Sequence, residues 1–301
     1  MDSLIALTSR RYVAAVSPGL GGSLAYFGTA DVQAFDFVRP TPVRAYADQN
    51  VRASAGYPLL PYSNRIGNGR FRFEGVDYLL DINSPIPIHP IHGLGWIREW
   101  TVASTSANRV ELTLGHITTG AADRAWPWSF TATQTFDLDD DRLQWSLTLT
   151  NRDTRPMPAG IGMHPFFPKP PQTEVQFATK AVWHNDVRML PTTRTEVVPE
   201  WDFKSLRQVG DLAVDNCFAG WSRTAQIVWP DRGYSLAIEA SEVLGHLVVF
   251  TSPTRDSIAL EPISHANNAV NLAAPFDDTG LVILAPGEML SGNFTMHPAA
   301  I

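Results

Sequence analysis

Cysteine is almost missing from this sequence: Cys217 is the only one among 301 residues. A lone thiol forms no intramolecular disulfide and supplies no cysteine cluster for zinc, so Cys217 is expected to be a small buried residue in a reducing compartment. Long apolar runs are missing too. Nothing approaches the roughly 18 uninterrupted apolar residues of a membrane-spanning helix. The start, Met1-Asp2-Ser3-Leu4-Ile5, has neither the basic segment nor the apolar stretch of a secretory signal. The expectation is a soluble cytoplasmic protein with no membrane partner. Positive charge is scarce as well, with 23 Lys and Arg against 30 Asp and Glu and a formal net charge of −7. No basic run offsets that balance, which argues against nucleic acid as a partner, because phosphate backbones demand basic patches. Nor does any window of about 12 residues carry an apolar stripe at helical spacing, so helices should be short and peripheral.

What is present instead is period-2 alternation from end to end. Val110 to His116 and Gln144 to Thr150 each have one apolar face, as strands half-covered by a core do. Ser129 to Leu138 and Arg142 to Thr150 flank Asp139-Asp140-Asp141, which predicts an antiparallel hairpin with a polar turn. Similar runs occur at Gln226 to Trp229, Tyr234 to Ala240, Leu247 to Thr251, Leu281 to Leu284 and Glu288 to His297. The proline-rich pieces Ser84 to Pro90 and His164 to Pro171 read as shaped loops within that pattern. Nine Trp beside 23 Pro and 21 Gly suit many turns and an aromatic-lined cleft, although core packing accounts for most Trp equally well. A length of 301 residues fits two average domains or one large β-domain, and no linker divides it. The fold class expected is therefore all-β, a large antiparallel β-sandwich in which residues 1–301 form a single domain.

Four segments hold polar residues in settings odd for turns or strands. In Pro61-Tyr62-Ser63-Asn64-Arg65-Ile66-Gly67, the arginine offers a planar fork of donors to a hydroxyl or carboxylate, unless it makes an ordinary surface ion pair. In His89-Pro90-Ile91-His92-Gly93, two histidines three apart suit either metal binding or hydrogen bonding by a neutral imidazole. Gly162-Met163-His164-Pro165-Phe166-Phe167 shields a histidine with aromatic walls, a setting for a proton donor or for a packed core residue. In Ser257-Ile258-Ala259-Leu260-Glu261-Pro262, a carboxylate closes an apolar strand. If buried, it needs a partner, a raised pKa or a substrate to offset several kcal/mol of desolvation.

In this order, Asn64-Arg65-Ile66, His92-Gly93, His164-Pro165-Phe166-Phe167, Asp215-Asn216-Cys217-Phe218 and Glu261-Pro262 resemble the aldose 1-epimerase (galactose mutarotase-like) family. The similarity runs from Pro18-Gly19-Leu20-Gly21-Gly22-Ser23-Leu24, which looks like the family's first glycine-containing strand turn, to the last strand. The resemblance implies a galactose mutarotase-like supersandwich with a sugar in an open cleft on one sheet. It implies an isomerase that interconverts the α and β anomers of a free aldose, with Glu261 as general base on the anomeric hydroxyl and His164 as general acid toward the ring oxygen. Arg65, His92 and Asp215 would hold the sugar, with Asn64 as a further binding position. One departure, Leu94-Gly95-Trp96 after His92-Gly93 in place of a glycine-rich continuation, bears on hexose preference rather than on catalysis.

Ring opening needs one base and one acid, so neither a metal nor an organic cofactor is expected. A carboxylate such as Asp215, if close, would raise the histidine pKa. Three other readings remain at this point: a catalytically silent sugar binder, a metal-dependent jelly-roll isomerase using His89, His92 and Glu261, and a sugar-phosphate mutarotase using Arg70 and Arg72. The residues do not identify the sugar or the oligomeric state.

Overall fold

The computed structural model describes residues 4–31, 34–85, 88–272 and 278–301. Two antiparallel sheets carry the chain. The larger has ten strands, ordered Ile5–Thr8, Tyr12–Ser17, Ser23–Thr29, Gly56–Leu59, Gly162–Pro168, Ser257–Ile263, His246–Thr251, Val214–Ala219, Ala181–Asn185 and Pro191–Thr195. The smaller has nine, ordered Arg207–Gln208, Glu174–Phe177, Thr224–Trp229, Tyr234–Ala240, Met289–Ala300, Leu143–Asn151, Phe130–Leu138, Arg109–His116 and Thr101–Thr105. Among the described residues the one α-helix, Val43–Ala47, has five residues. None of the helices there is long and apolar enough to cross a membrane.

Alternation builds the nine-stranded sheet. In Phe130–Leu138 every second residue is buried and those between are half-exposed, so one face supplies the core and the other stays partly wet. Its hairpin with Leu143–Asn151 closes through Asp139, whose carboxylate accepts the backbone N–H groups of Asp141 and Arg142, both at 2.8 Å. The covered face meets the larger sheet in one apolar cluster that includes Phe136, Trp145 and Phe294 from one side and Val16, Phe167 and Leu260 from the other. Each such side chain contributes about 1.5–3 kcal/mol on burial. A fully buried amide ties the sheets together: Gln134 donates to the Gly22 carbonyl at 2.8 Å and accepts from the Trp145 indole at 3.0 Å. Gly22 has a φ of +60° and a Cβ there would lie 2.2 Å from that amide nitrogen, so only glycine fits the turn.

The centre of the ten-stranded sheet is different, because both its faces are covered. One face joins the inter-sheet core. The other carries a second cluster of Tyr57, Trp96, Phe166, Cys217, Val248 and Ala259. Cys217 is buried there, and eight of the nine tryptophans are buried, which assigns most of them to packing rather than to a cleft. Two expectations fail at this point. His164 to Pro171 is not a loop throughout, since Gly162–Pro168 is a central strand. Glu261 does not close its strand, which continues to Ile263. Proline misled in both cases. Pro165 has no N–H to donate, and it falls in a stretch where Gly162–Pro168 is bridged to Gly56–Leu59 rather than to Ser257–Ile263. Of the other proline-rich piece, Ser84 to Pro90, Ile86 and Pro87 lie outside the described residues.

Candidate active site

Register places the two residues that matter most. Gly162 lies opposite Ile263 and Phe166 opposite Ala259. His164 and Glu261, each midway between those pairs, therefore face one another across adjacent strands, on the side away from the inter-sheet core. His164 Nε2 is 3.1 Å from Glu261 Oε1, and the residues are 5% and 2% exposed. The same row continues through Val248 to Cys217, and Asp215 stands two residues along from Cys217 on that face. The pair lies in a cleft of about 930 Å³ lined also by Arg65, His92, Asp215 and Asn64. All six residues singled out in the sequence thus converge, from segments up to about 200 residues apart.

Two loops zip together to present Arg65 and His92. His92 N–H donates to the Asn64 carbonyl at 2.9 Å, and Asn64 N–H donates to His92 Nδ1 at 3.1 Å. Both residues adopt positive φ, 56° for Asn64 and 61° for His92, a left-handed conformation uncommon outside glycine that Asn and His tolerate better than most, and here the reciprocal contact holds it. With Nδ1 accepting, the neutral ring carries its proton on Nε2 and serves as a donor. The Asn64 side chain turns to its neighbour: Oδ1 accepts from Arg65 N–H at 3.0 Å and from Arg65 Nη1 at 3.2 Å. Arg65 Nη2 then reaches Asp215 Oδ2 at 3.7 Å. Asn64 is accordingly placed to orient Arg65.

Burial dominates the electrostatics. It pushes Glu261 well above the usual carboxylate range, with the Asp215 carboxylate adding to the rise and Arg65 opposing it. It pushes His164 well below the usual imidazole range, helped by the charges of Arg39 and Arg52. The 3.1 Å contact has the length of an ion pair, but both shifts favour the uncharged forms. The neutral pair is the better description. His164 Nδ1 and Glu261 Oε2 are buried without hydrogen-bond partners, and a buried ion pair gains only when such positions are satisfied. Asp215 therefore does not raise the histidine, as its carboxylate acts on Glu261 instead. His92 is held neutral by burial and by the nearby Arg65 and Arg52 charges.

The geometry also shows what local sequence did not. Tyr57 packs its ring 4.6 Å from His164 and 5.6 Å from Trp96, walling the cleft beside the pair. Asn83 clamps the His92 loop, donating to the carbonyls of Ile91 and Gly93 and accepting from Ile91 N–H, all at 2.8 Å. Neither has a sequence signature, because each acts across the fold. His89, His92 and Glu261 do not assemble as ligands: His89 Nδ1 accepts from Asn68 N–H at 2.9 Å. Among the described residues no group of three or more His, Cys, Asp or Glu is placed to hold a metal. Arg70 and Arg72 are exposed on a separate two-stranded hairpin, with Arg72 paired to Asp77, and do not line the cleft.

The two-sheet antiparallel sandwich, with a buried histidine and carboxylate in a cleft on the outer face of its larger sheet, is a galactose mutarotase-like fold. The family profile for aldose 1-epimerase matches residues 3–297, and the chain belongs to that family. It is 31% identical over 249 residues to the Escherichia coli K12 protein YphB, whose function is uncharacterized, covering 80% of this chain and 82% of that one. A solved E. coli K12 structure carrying a provisional aldose 1-epimerase assignment superposes with a TM-score of 0.89 at 27% identity, over 100% of both chains. A galactose mutarotase-like protein from Clostridium acetobutylicum gives a TM-score of 0.88 at 19% identity, over 100% of this chain and 96% of that one, and shares the fold. Membership implies a sugar as the ligand.

Proposed function

We propose that the protein is an aldose mutarotase in which Glu261 and His164 exchange protons with the anomeric hydroxyl and ring oxygen. The observation that carries this reading is the buried His164–Glu261 pair, 3.1 Å apart on the cleft floor with an unsatisfied polar atom on each side chain. The pair shares one proton. A sugar whose hydroxyls hydrogen-bond to both groups favours the charged tautomer, carboxylate and imidazolium, which is the reactive one.

Glu261 takes the O1 proton while the O1–H electrons form the C1=O1 bond and the C1–O5 bond breaks. His164 gives its proton to O5. The aldehyde rotates about C1–C2, O5 attacks the other carbonyl face and returns its proton to His164, and Glu261 reprotonates O1. Since both transfers are coordinated, little charge accumulates and the step requires neither metal nor organic cofactor, with each group contributing about 10²–10⁴-fold. Arg65, His92 and Asp215 orient the ring, and Asn64 positions Arg65. The test is the approach of freshly dissolved α-aldoses to anomeric equilibrium, followed by polarimetry or NMR against the spontaneous rate. A folded Glu261→Gln variant that retains the wild-type rate overturns the proposal in favour of a silent sugar binder.

A further inference from the structure

The cleft is positively charged in a protein whose net charge is −7. Besides Arg65, which pairs with Asp215, it is lined by Arg39, Arg52 and Arg255, and by Asp48. Elsewhere some arginines meet acids, as Arg10 does Asp140, Arg109 does Asp137 and Arg124 does Asp81, while others such as Arg44, Arg70 and Arg98 stand on the exposed surface without one. Among the described residues, Arg39, Arg52 and Arg255 have no acidic side chain within 4.0 Å. Asp256, next to Arg255 in the chain, is not part of the cleft lining. What distinguishes Arg39, Arg52 and Arg255 is convergence: in a chain with more acids than bases, three arginines without acidic partners line one cleft.

Their supports are built. The Arg39 guanidinium lies 3.9 Å from the Phe166 ring centroid, and its Nη2 donates to the carbonyls of Ser54 at 2.7 Å and Arg52 at 3.1 Å. Arg255 lies 4.2 Å from the Phe250 centroid. Phe166 and Phe250 belong to one row, because each lies opposite Ala259 from the strand on either side of it. That row is two residues along the strands from the row of His164 and Glu261, a separation of about 7 Å at the rise of a β-strand. The span exceeds a pyranose measured from its anomeric to its exocyclic carbon, and leaves room for an oxyanion carried on that carbon.

We infer that the cleft selects aldoses bearing an oxyanion at the end of the ring remote from the anomeric carbon, a uronate carboxylate or a sugar phosphate. The inference deepens the mutarotase reading and rests on it for the direction in which the sugar lies. Arg39, with Nη2 committed to two carbonyls, supplies fixed charge. Arg52 and Arg255, whose side chains make no hydrogen bond to described residues, supply the donors, and two guanidinium forks suit an oxyanion.

Binding and turnover are measured separately on the full chain. Calorimetry with methyl glycosides, which cannot open, compares a methyl uronide and a methyl glycoside 6-phosphate with the neutral parent. The charged glycosides are expected to bind at least tenfold more tightly, and R52M/R255M should remove most of that preference. High salt should weaken it as well. The stronger of the two arms identifies the oxyanion. Equal binding of charged and neutral glycosides, or a preference unaltered in R52M/R255M, overturns the inference. Mutarotation of galacturonate, glucose 6-phosphate and glucose is followed in parallel. For the charged sugars, R52M/R255M should raise KM about tenfold with a smaller change in kcat, and R255K should recover part of the loss. If no sugar is accelerated while the charged glycosides still bind selectively, the mutarotase reading fails and the oxyanion site stands.

Discussion

Leu260 and Glu261 are adjacent in one strand and buried to nearly the same degree, at 1% and 2% exposure, yet they face opposite ways. Leu260 belongs to the inter-sheet core with Met163 and Phe167 from the neighbouring strand. Glu261 faces the cleft with His164 and Phe166. On the inner face, exclusion of water contributes stability, because only apolar atoms are desolvated. On the outer face it drives a carboxyl and an imidazole away from their solution pKa values and leaves polar atoms unpaired. Burial is the same physical event on both sides of the strand, and side-chain chemistry decides whether it produces cohesion or reactivity.

The sharpest way to separate the faces is to change one residue on each. Glu261→Gln should lower turnover by about 10²–10⁴-fold while thermal unfolding shows no loss of stability, since the amide carries no charge to desolvate. His164→Asn should act similarly on the rate. Leu260→Ala should do the reverse, costing about 2–5 kcal/mol in denaturant unfolding through the cavity it leaves. Its activity per folded molecule should stay near wild type. If Leu260→Ala impaired turnover as severely as Glu261→Gln, the two faces would not be independent.

A smaller effect, of definite sign, concerns pH. Folded Glu261 holds its proton above the ordinary value of 4.5. As pH rises past that value the unfolded chain releases a proton that the folded chain keeps, and stability falls until folded Glu261 ionises too. His164 behaves oppositely. Below 6.5 the unfolded chain takes up a proton that folded His164 refuses, so stability falls as pH falls. Glu261→Gln removes only the first loss. Thermal melts at a series of pH values should show the variant gaining on the wild type from pH 4.5 upward. A difference independent of pH would mean that folded Glu261 is already ionised. The smallest effect should come from Arg72→Ala, whose exposed partner is Asp77, with melting temperature and sugar kinetics unchanged within error.

The comparison of faces also explains what was legible in the sequence. Strands such as Tyr234–Ala240 and the hairpin around Asp139 were readable because one face is buried and the other wetter, which leaves an alternating pattern. Ser257–Ile263 is buried at every position, so alternation vanishes there, and proline made its end and the His164 strand look like loops. The six residues that meet in the cleft stood out in the sequence as motifs in a fixed order. The cleft arginines were not, because Arg39, Arg52 and Arg255 come from separate segments and each alone resembles a surface charge. Only the row of Phe166, Ala259 and Phe250 brings them to one place.

The His164–Glu261 contact is set by strand register, and a slip of one residue would turn every side chain of a strand to its other face. For Ser257–Ile263 such a slip would carry Glu261 into the inter-sheet core and Leu260 into the cleft. The core therefore acts as a proofreader for the cleft. A misregistered chain forfeits its packing together with that contact, so a form that lacks the pair but keeps an intact interior has no stable register to occupy.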